Sequence, residues 1–256
     1  MNPSLKDVVP QHWPCSPYRA EDCATLTQVV PIEDTRELSV TWSIPDLREH
    51  YKSSPTKYLS RLIHHEGEGS LFSELKARSL INWIYARRVI GARGFHFLKI
   101  SVDLTEDGIQ KIPDILMLIF QYLALLKSEG PQRWFFEECL ELGLTRFRYQ
   151  DKEEPQDYVS ELAEDLADFP VEDVLIGSGR RPEDWRPELI SDLLSCLTPS
   201  KARVLVTGKM LAEKCTETEP WFGTKYSFEK FPQENIQAWT DCSLSQKLAL
   251  PKEKFH

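Results

Sequence analysis

The alternation of Phe95 to Leu104, closely followed by the apolar run Ile115 to Leu126, constrains the fold more than any other feature of the chain. Period-two alternation sets one face of a strand on a core, whereas a run that is apolar all round needs burial on every side. Such a pair demands a sheet with helices stacked on it. Gln121 interrupts the run, which is also too short to cross a bilayer, so a buried helix is predicted and no membrane span. The segment Asn82 to Ile90 has strand composition and is placed as the antiparallel neighbour of Phe95 to Leu104. Leu38, Val40, Trp42 and Ile44 alternate with polar residues in a further strand that Pro45 ends.

Ser54 reads as an N-cap with Pro55 in the first turn of a helix, whose apolar stripe is Tyr58, Leu59, Leu62 and Ile63. Gly67 and Gly69 break that helix, and Ser70 starts another with Leu71, Phe72 and Leu75 inward. Thr105-Glu106-Asp107 is expected to cap the long apolar helix, with Pro113 either kinking it or marking its true first turn. Further helices are predicted at Gln132 to Phe147, Pro155 to Asp168 and Pro187 to Leu197, and further strands at Arg203 to Thr207 and Phe222 to Phe228. The order specifies an α+β fold, a mainly antiparallel sheet with helices packed on it. Residues 1–30, rich in Pro and polar side chains, read as a linker or peripheral segment anchored by Trp13 and Tyr18, and 31–256 as a single domain.

The formal charge of -9 argues against a general binder of phosphate backbones, and neither Arg87-Arg88 nor Arg180-Arg181 reverses that. Six scattered cysteines without C-x-x-C spacing fit reduced thiols in the cytoplasm better than a disulfide framework or a metal site. The N-terminus has no positive segment leading into an apolar one, so no secretory signal is expected. Cys139, beside Glu137 and Glu138, reads as a structural thiol, and the acidic runs as solvated helix surface. Trp221 to Tyr226 lacks basic interleaving and is expected to pack in a core or between domains rather than stack on bases.

His65-Glu66 opens an H-E-x-x-H pattern, but Gly69 stands where the second histidine belongs. The inverted H-x-x-E-H is absent too, since Gly67 and Glu68 follow His64 where Glu and His are required. A zinc protease needs two histidines one helical turn apart with a glutamate to activate the bound water. No catalytic or metal-binding residue is therefore assigned.

The same stretch, Lys57-Tyr58-Leu59-Ser60-Arg61-Leu62-Ile63-His64-His65-Glu66-Gly67-Glu68-Gly69-Ser70, resembles the second, non-catalytic domain of insulysin- and nardilysin-type zinc metallopeptidases of the pitrilysin family. The resemblance continues through Gly91 to Phe95, Val102 to Gly108, Phe120-Gln121-Tyr122, Glu129 to Gln132, Phe136 to Cys139, Phe147 to Lys152 and Trp221 to Tyr226. It implies a domain like those of pitrilysin and mitochondrial processing peptidase, with zinc confined to a catalytic domain outside this chain. It also implies a peptide exosite at Lys57, Arg61, His64, Glu66, Ile84, Tyr85, Ala86 and Arg88, where an edge strand, Ile84 to Arg88, receives an extended peptide and Glu66 meets its N-terminal ammonium. Ala86-Arg87 stands where insulysins usually have paired glycines, so bulk is expected to hinder close approach and the two arginines to favour acidic peptides. Lys57 and Arg61 occupy positions often held by His, and His64 one often held by Gly. The chain ends near where the family's domain gives way to a linker, which leads to the expectation of a partial or truncated protein without peptidase activity of its own. Its expected partners are peptides and the missing catalytic and C-terminal domains or a homologous subunit, with no nucleic acid and no membrane. The alternative is a stand-alone protein that binds peptides or a subunit without any enzymatic role.

Overall fold

The computed structural model describes residues 11–13, 16–175 and 184–253. Arg180-Arg181 and the segment 254–256 lie outside the described residues. The strands are β1 (Thr25–Val29), β2 (Glu37–Pro45), β3 (Ile81–Ala92), β4 (Phe95–Leu104), β5 (Arg203–Thr207), β6 (Glu217–Thr218) and β7 (Lys225–Lys230). The helices are α1 (Pro55–Ile63), α2 (Leu71–Ala77), α3 (Ile112–Glu129), α4 (Arg133–Arg148), α5 (Pro155–Asp168), α6 (Pro187–Cys196) and α7 (Gln233–Thr240). All strands join one sheet in the order β3-β4-β2-β5-β1-β7-β6. β1 with β5 is its one parallel pair among the described residues, so the sheet is mainly antiparallel.

The alternation of β2 and β4 sets Leu38, Val40, Trp42 and Ile44 beside Val102, Ile100, Leu98 and His96 on one face, all essentially without solvent. Helices cover that face: α1 and α2 lie on β3, and α6 on β2. α3, apolar on nearly every side, packs against α2, α6 and α7, and its Phe120 ring meets Trp42 edge-on. Burying each large apolar side chain contributes roughly 1.5–3 kcal/mol, and Trp42 adds a hydrogen bond from Nε1 to the Thr198 carbonyl at 2.9 Å. The opposite face carries Glu37, Thr41, Lys99 and Arg203. Tyr18 lies across it, its ring against Phe97 and beneath the Arg203 guanidinium. Trp13 remains half-exposed and is tied through its backbone N–H, which donates to the Arg93 carbonyl.

Four local expectations are corrected. Thr25 to Val29 lies in the segment read as peripheral, yet it forms β1 between β5 and β7, because Leu26 pairs with Val204 on the helix side of the sheet. Thr105 Oγ1 accepts the Gly108 amide and so caps a short 3-10 turn, Gly108–Gln110, while α3 starts later with Pro113 in its first turn. Ser54 precedes α1 in the left-handed region with φ 43°, and its hydroxyl donates back to the Tyr51 carbonyl instead of accepting from the helix. The late strand expected from Phe222 begins only at Lys225, because Gly223 has φ +68° and turns the chain.

Candidate functional site

Lys57, Ser60 and Arg61 on α1 and His64 at its C-cap stand three and four residues apart and therefore share one helical face. Phe135, Glu138, Cys139, Arg146 and Phe147 form a matching stripe on α4. Between the two stripes opens a cleft of about 980 Å³, walled at its ends by His65, Glu66 and Gly67 and touching Ala86 of β3. A smaller cleft of about 330 Å³ continues along β3 past Arg87 and Arg88, bounded by Leu47, His50 and Tyr51. Lys57, Ser60 and Ala86 line both, so the two form one groove beside the strand.

The strand is the edge of the sheet, since β3 pairs with β4 alone among the described residues. His64 Nδ1 lies 3.2 Å from the Ile84 carbonyl, to which it donates when that nitrogen carries the proton. That bond marks the outward side of the edge. Backbone groups alternate in direction along an antiparallel strand, and the register is regular from Trp83 to Ile90. The N–H and C=O of Ala86 and Arg88 therefore face outward with those of Ile84. No other backbone bond outside the ladder engages Ala86 or Arg88 among the described residues. The strand thus offers two open positions and a third that His64 closes.

The turn after α1 is shaped by its two glycines. Gly69, at φ +79°, takes a conformation that favours glycine, and its carbonyl accepts the Ala249 amide at 2.8 Å. His65 folds over Gly67, where a Cβ would stand 2.4 Å from Nε2. Ser70 Oγ accepts the Ser73 amide and caps α2. Glu66 projects from this turn into solvent at the mouth of the larger cleft.

Of the residues expected in the exosite, Lys57, Arg61, His64, Glu66 and Ala86 line the larger cleft and Arg88 the smaller. Ile84 contributes only its carbonyl, because its side chain is buried in the core. Tyr85 points to the opposite face of the sheet, opposite Ser101, and is not brought to the groove. The Ala86 side chain packs against the core. Sequence reading missed the whole α4 wall. A stripe at helical spacing was visible there, but nothing local said that it faced α1.

Burial dominates the electrostatics of the groove. It pushes the Cys139 thiol up to about 11, with Glu138 acting in the same direction and Arg61 against it. It pushes the Tyr58 hydroxyl to about 12, whose oxygen accepts the Gln132 amide at 2.7 Å and so joins α1 to the start of α4. Burial also draws the Arg88 guanidinium below its usual value, assisted by the neighbouring Arg48. Among the described residues no group of three or more His, Cys, Asp and Glu side chains is placed to hold a metal ion. No helix among them is long and apolar enough to cross a membrane.

Trp221 and Phe222, expected to pack in a core or between domains, stand 88% and 92% exposed on the turn between β6 and β7. The Glu219 carboxylate accepts the amides of both residues, at 2.8 and 2.7 Å, which fixes the turn that displays them.

Two family models match the chain: the peptidase M16 inactive domain over residues 2–142 and the middle or third domain of peptidase M16 over residues 147–254. The two matches share one sheet, because β5 of the second is hydrogen-bonded between β2 and β1 of the first. The chain is 43% identical to the insulin-degrading enzyme of Homo sapiens over 251 residues, which is 98% of this chain and 24% of that protein. It is 40% identical to the insulin-degrading enzyme of Drosophila melanogaster over 248 residues, 96% of this chain and 25% of that one. It thus spans about a quarter of the length of these relatives. The crystal structure of pitrilysin has the same fold, with a TM-score of 0.87 and 22% identity over 95% of this chain and 26% of that one.

Proposed function

The chain belongs to the peptidase M16 family, matching its inactive and middle domains, and from that premise we propose that it holds peptide substrate for such a peptidase without cleaving it. The observation that carries this reading is the open edge of β3 at Ala86 and Arg88, which runs beside a groove with Glu66 at its mouth. An extended peptide adds to such an edge through main-chain hydrogen bonds that make little demand on sequence. Glu66 then meets the terminal ammonium in a charge-assisted pair. Because His64 occupies the Ile84 carbonyl, the peptide engages from Ala86 onward unless the imidazole swings away.

Cleavage belongs to a partner in this proposal. Catalysis in the wider family uses a metal-bound water and a glutamate base, and this chain supplies neither, so it carries no zinc of its own. The exposed Trp221 and Phe222 support a partner domain or subunit of the same family, since two large rings held bare on a fixed turn suit an interface. Cys23, Cys139, Cys196, Cys215 and Cys242 are all unpaired, which supports the reducing cytoplasm as the compartment.

The test is fluorescence-anisotropy binding of a labelled peptide with a free N-terminus, beside an N-acetylated copy and a Glu66→Ala variant. Saturable binding that acetylation and the substitution each weaken about tenfold is expected, the loss of one charge-assisted contact. Absence of binding to folded chain refutes the role.

A further inference from the structure

Of the residues expected from sequence, Lys57, Ala86 and Arg88 reach the smaller cleft, and its chemistry differs from that of the mouth at Glu66. Arg87, Arg88, Lys57 and His50 line it, and no carboxylate does. Arg87 and Arg88 form no ion pair among the described residues. The acids that act on Arg88 through space, Asp46 and Asp168, are already engaged by Arg48, at 3.2 and 3.7 Å, and Asp168 also lies 3.9 Å from Arg93. A partly buried guanidinium crowded by a second one, in a chain of net charge -9, is a cation without its counterion.

The position along the strand adds a direction. Ala86 lines both clefts, and Arg88 lies two residues further, roughly 7 Å at strand spacing. The outward N–H and C=O of Arg88 sit at the same point of the edge as its side chain sits in the smaller cleft. A peptide that pairs with the edge there delivers a side chain next to the guanidinium.

We propose that the cleft between α1 and the Arg87-Arg88 end of β3 is a specificity subsite for an Asp or Glu side chain near the N-terminus of a bound peptide. This rests on the reading of β3 as a peptide-binding edge and names the substrate class that it selects. The carboxylate accepts from the Arg88 guanidinium, and Lys57 supplies further positive charge. The subsite acts on specificity, while the main-chain bonds and the contact of Glu66 with the ammonium supply sequence-independent affinity.

The experiment compares two labelled peptides with free N-termini that differ only in having Asp and Glu, or Asn and Gln, at positions two to five. The native chain is expected to bind the acidic peptide about tenfold tighter, equivalent to about 1.4 kcal/mol. Arg88→Gln and the exposed-site variant Lys57→Gln should lower that ratio toward one, while Arg88→Lys keeps part of it. Circular dichroism confirms that each variant folds, and Lys57→Gln carries the test if Arg88→Gln does not. Equal binding of both peptides by the native chain overturns the subsite and leaves the edge-strand role standing. A preference that survives both glutamine substitutions also overturns it. If neither peptide binds, both readings fall together.

Discussion

Tyr122→Phe tests whether the core of α3 holds the end of α1 as the structure indicates. The Tyr122 ring is wholly buried, and its hydroxyl donates to the Leu62 carbonyl at 3.1 Å, one turn before Glu66. Burial pushes the hydroxyl's pKa far up, so it remains a donor at every working pH. Phenylalanine preserves the packing of the ring and removes only that bond. The Leu62 carbonyl is not stranded, because the His65 amide also donates to it at 3.2 Å. The expected cost is therefore the net value of one hydrogen bond, about 1 kcal/mol, and not the larger penalty of a buried acceptor left without a donor. In a domain of this size that corresponds to roughly 2–4 °C in Tm. Urea unfolding followed by tryptophan fluorescence measures it, with the slope m unchanged. A loss above about 3 kcal/mol would show that the His65 amide does not hold the carbonyl, and one below about 0.3 kcal/mol that the hydroxyl does not reach it. Either result refutes the reasoning.

Two further predictions concern titrating groups. His96 is 1% exposed, and burial, with Arg88 next in effect, holds its pKa below 6.5 despite the proximity of Asp46. The unfolded chain takes up this proton first, so the contribution to stability is complete above 6.5 and is lost as pH falls through the lower folded value. The urea midpoint should drop between about pH 7.5 and 5.5, less so in His96→Asn, and an equal slope in the variant would contradict this. Asp46, whose carboxylate is stabilised by the Gly94 and Arg48 amides, contributes only in a separate window below 3.8. Cys139, with its thiol pushed up to about 11, should react with iodoacetamide at about pH 8 roughly a hundredfold slower than a free thiol, followed by site-resolved mass spectrometry. Labelling at the rate of glutathione would rule out its burial.

What the chain reveals locally is uneven, for physical reasons. β2, β4, α1 and α3 are legible because one face of each is buried along its whole length, and the periodicity survives in the sequence. β1 is hidden because Thr25-Leu26-Thr27-Gln28-Val29 owes its place to pairing with β5 and β7 rather than to its own pattern. α7 escapes notice because Ile236 and Trp239 are its only buried side chains. Within the groove, the helix α1 and the turn at Glu66 can be read from adjacent residues. The position of β3 at the sheet edge and the approach of α4 depend on contacts between distant segments. Tyr85 illustrates the difference, since it lies within the right strand and on the wrong face.

The place of β5 has a consequence for how the molecule is made. β1 and β2 are near neighbours in the chain, but in the sheet they are separated by β5, which begins at Arg203. As the polypeptide leaves the ribosome, β2, β3 and β4 can assemble early, and β2 then presents a bare edge until Arg203 to Thr207 have been synthesised. β1 and β7 have no link to the rest of the sheet before that moment. Such a long wait exposes strand edges to other chains and slows the final closure. A nascent chain halted before Arg203 should therefore aggregate or be held by chaperones, and its escape from them should coincide with the insertion of these five residues.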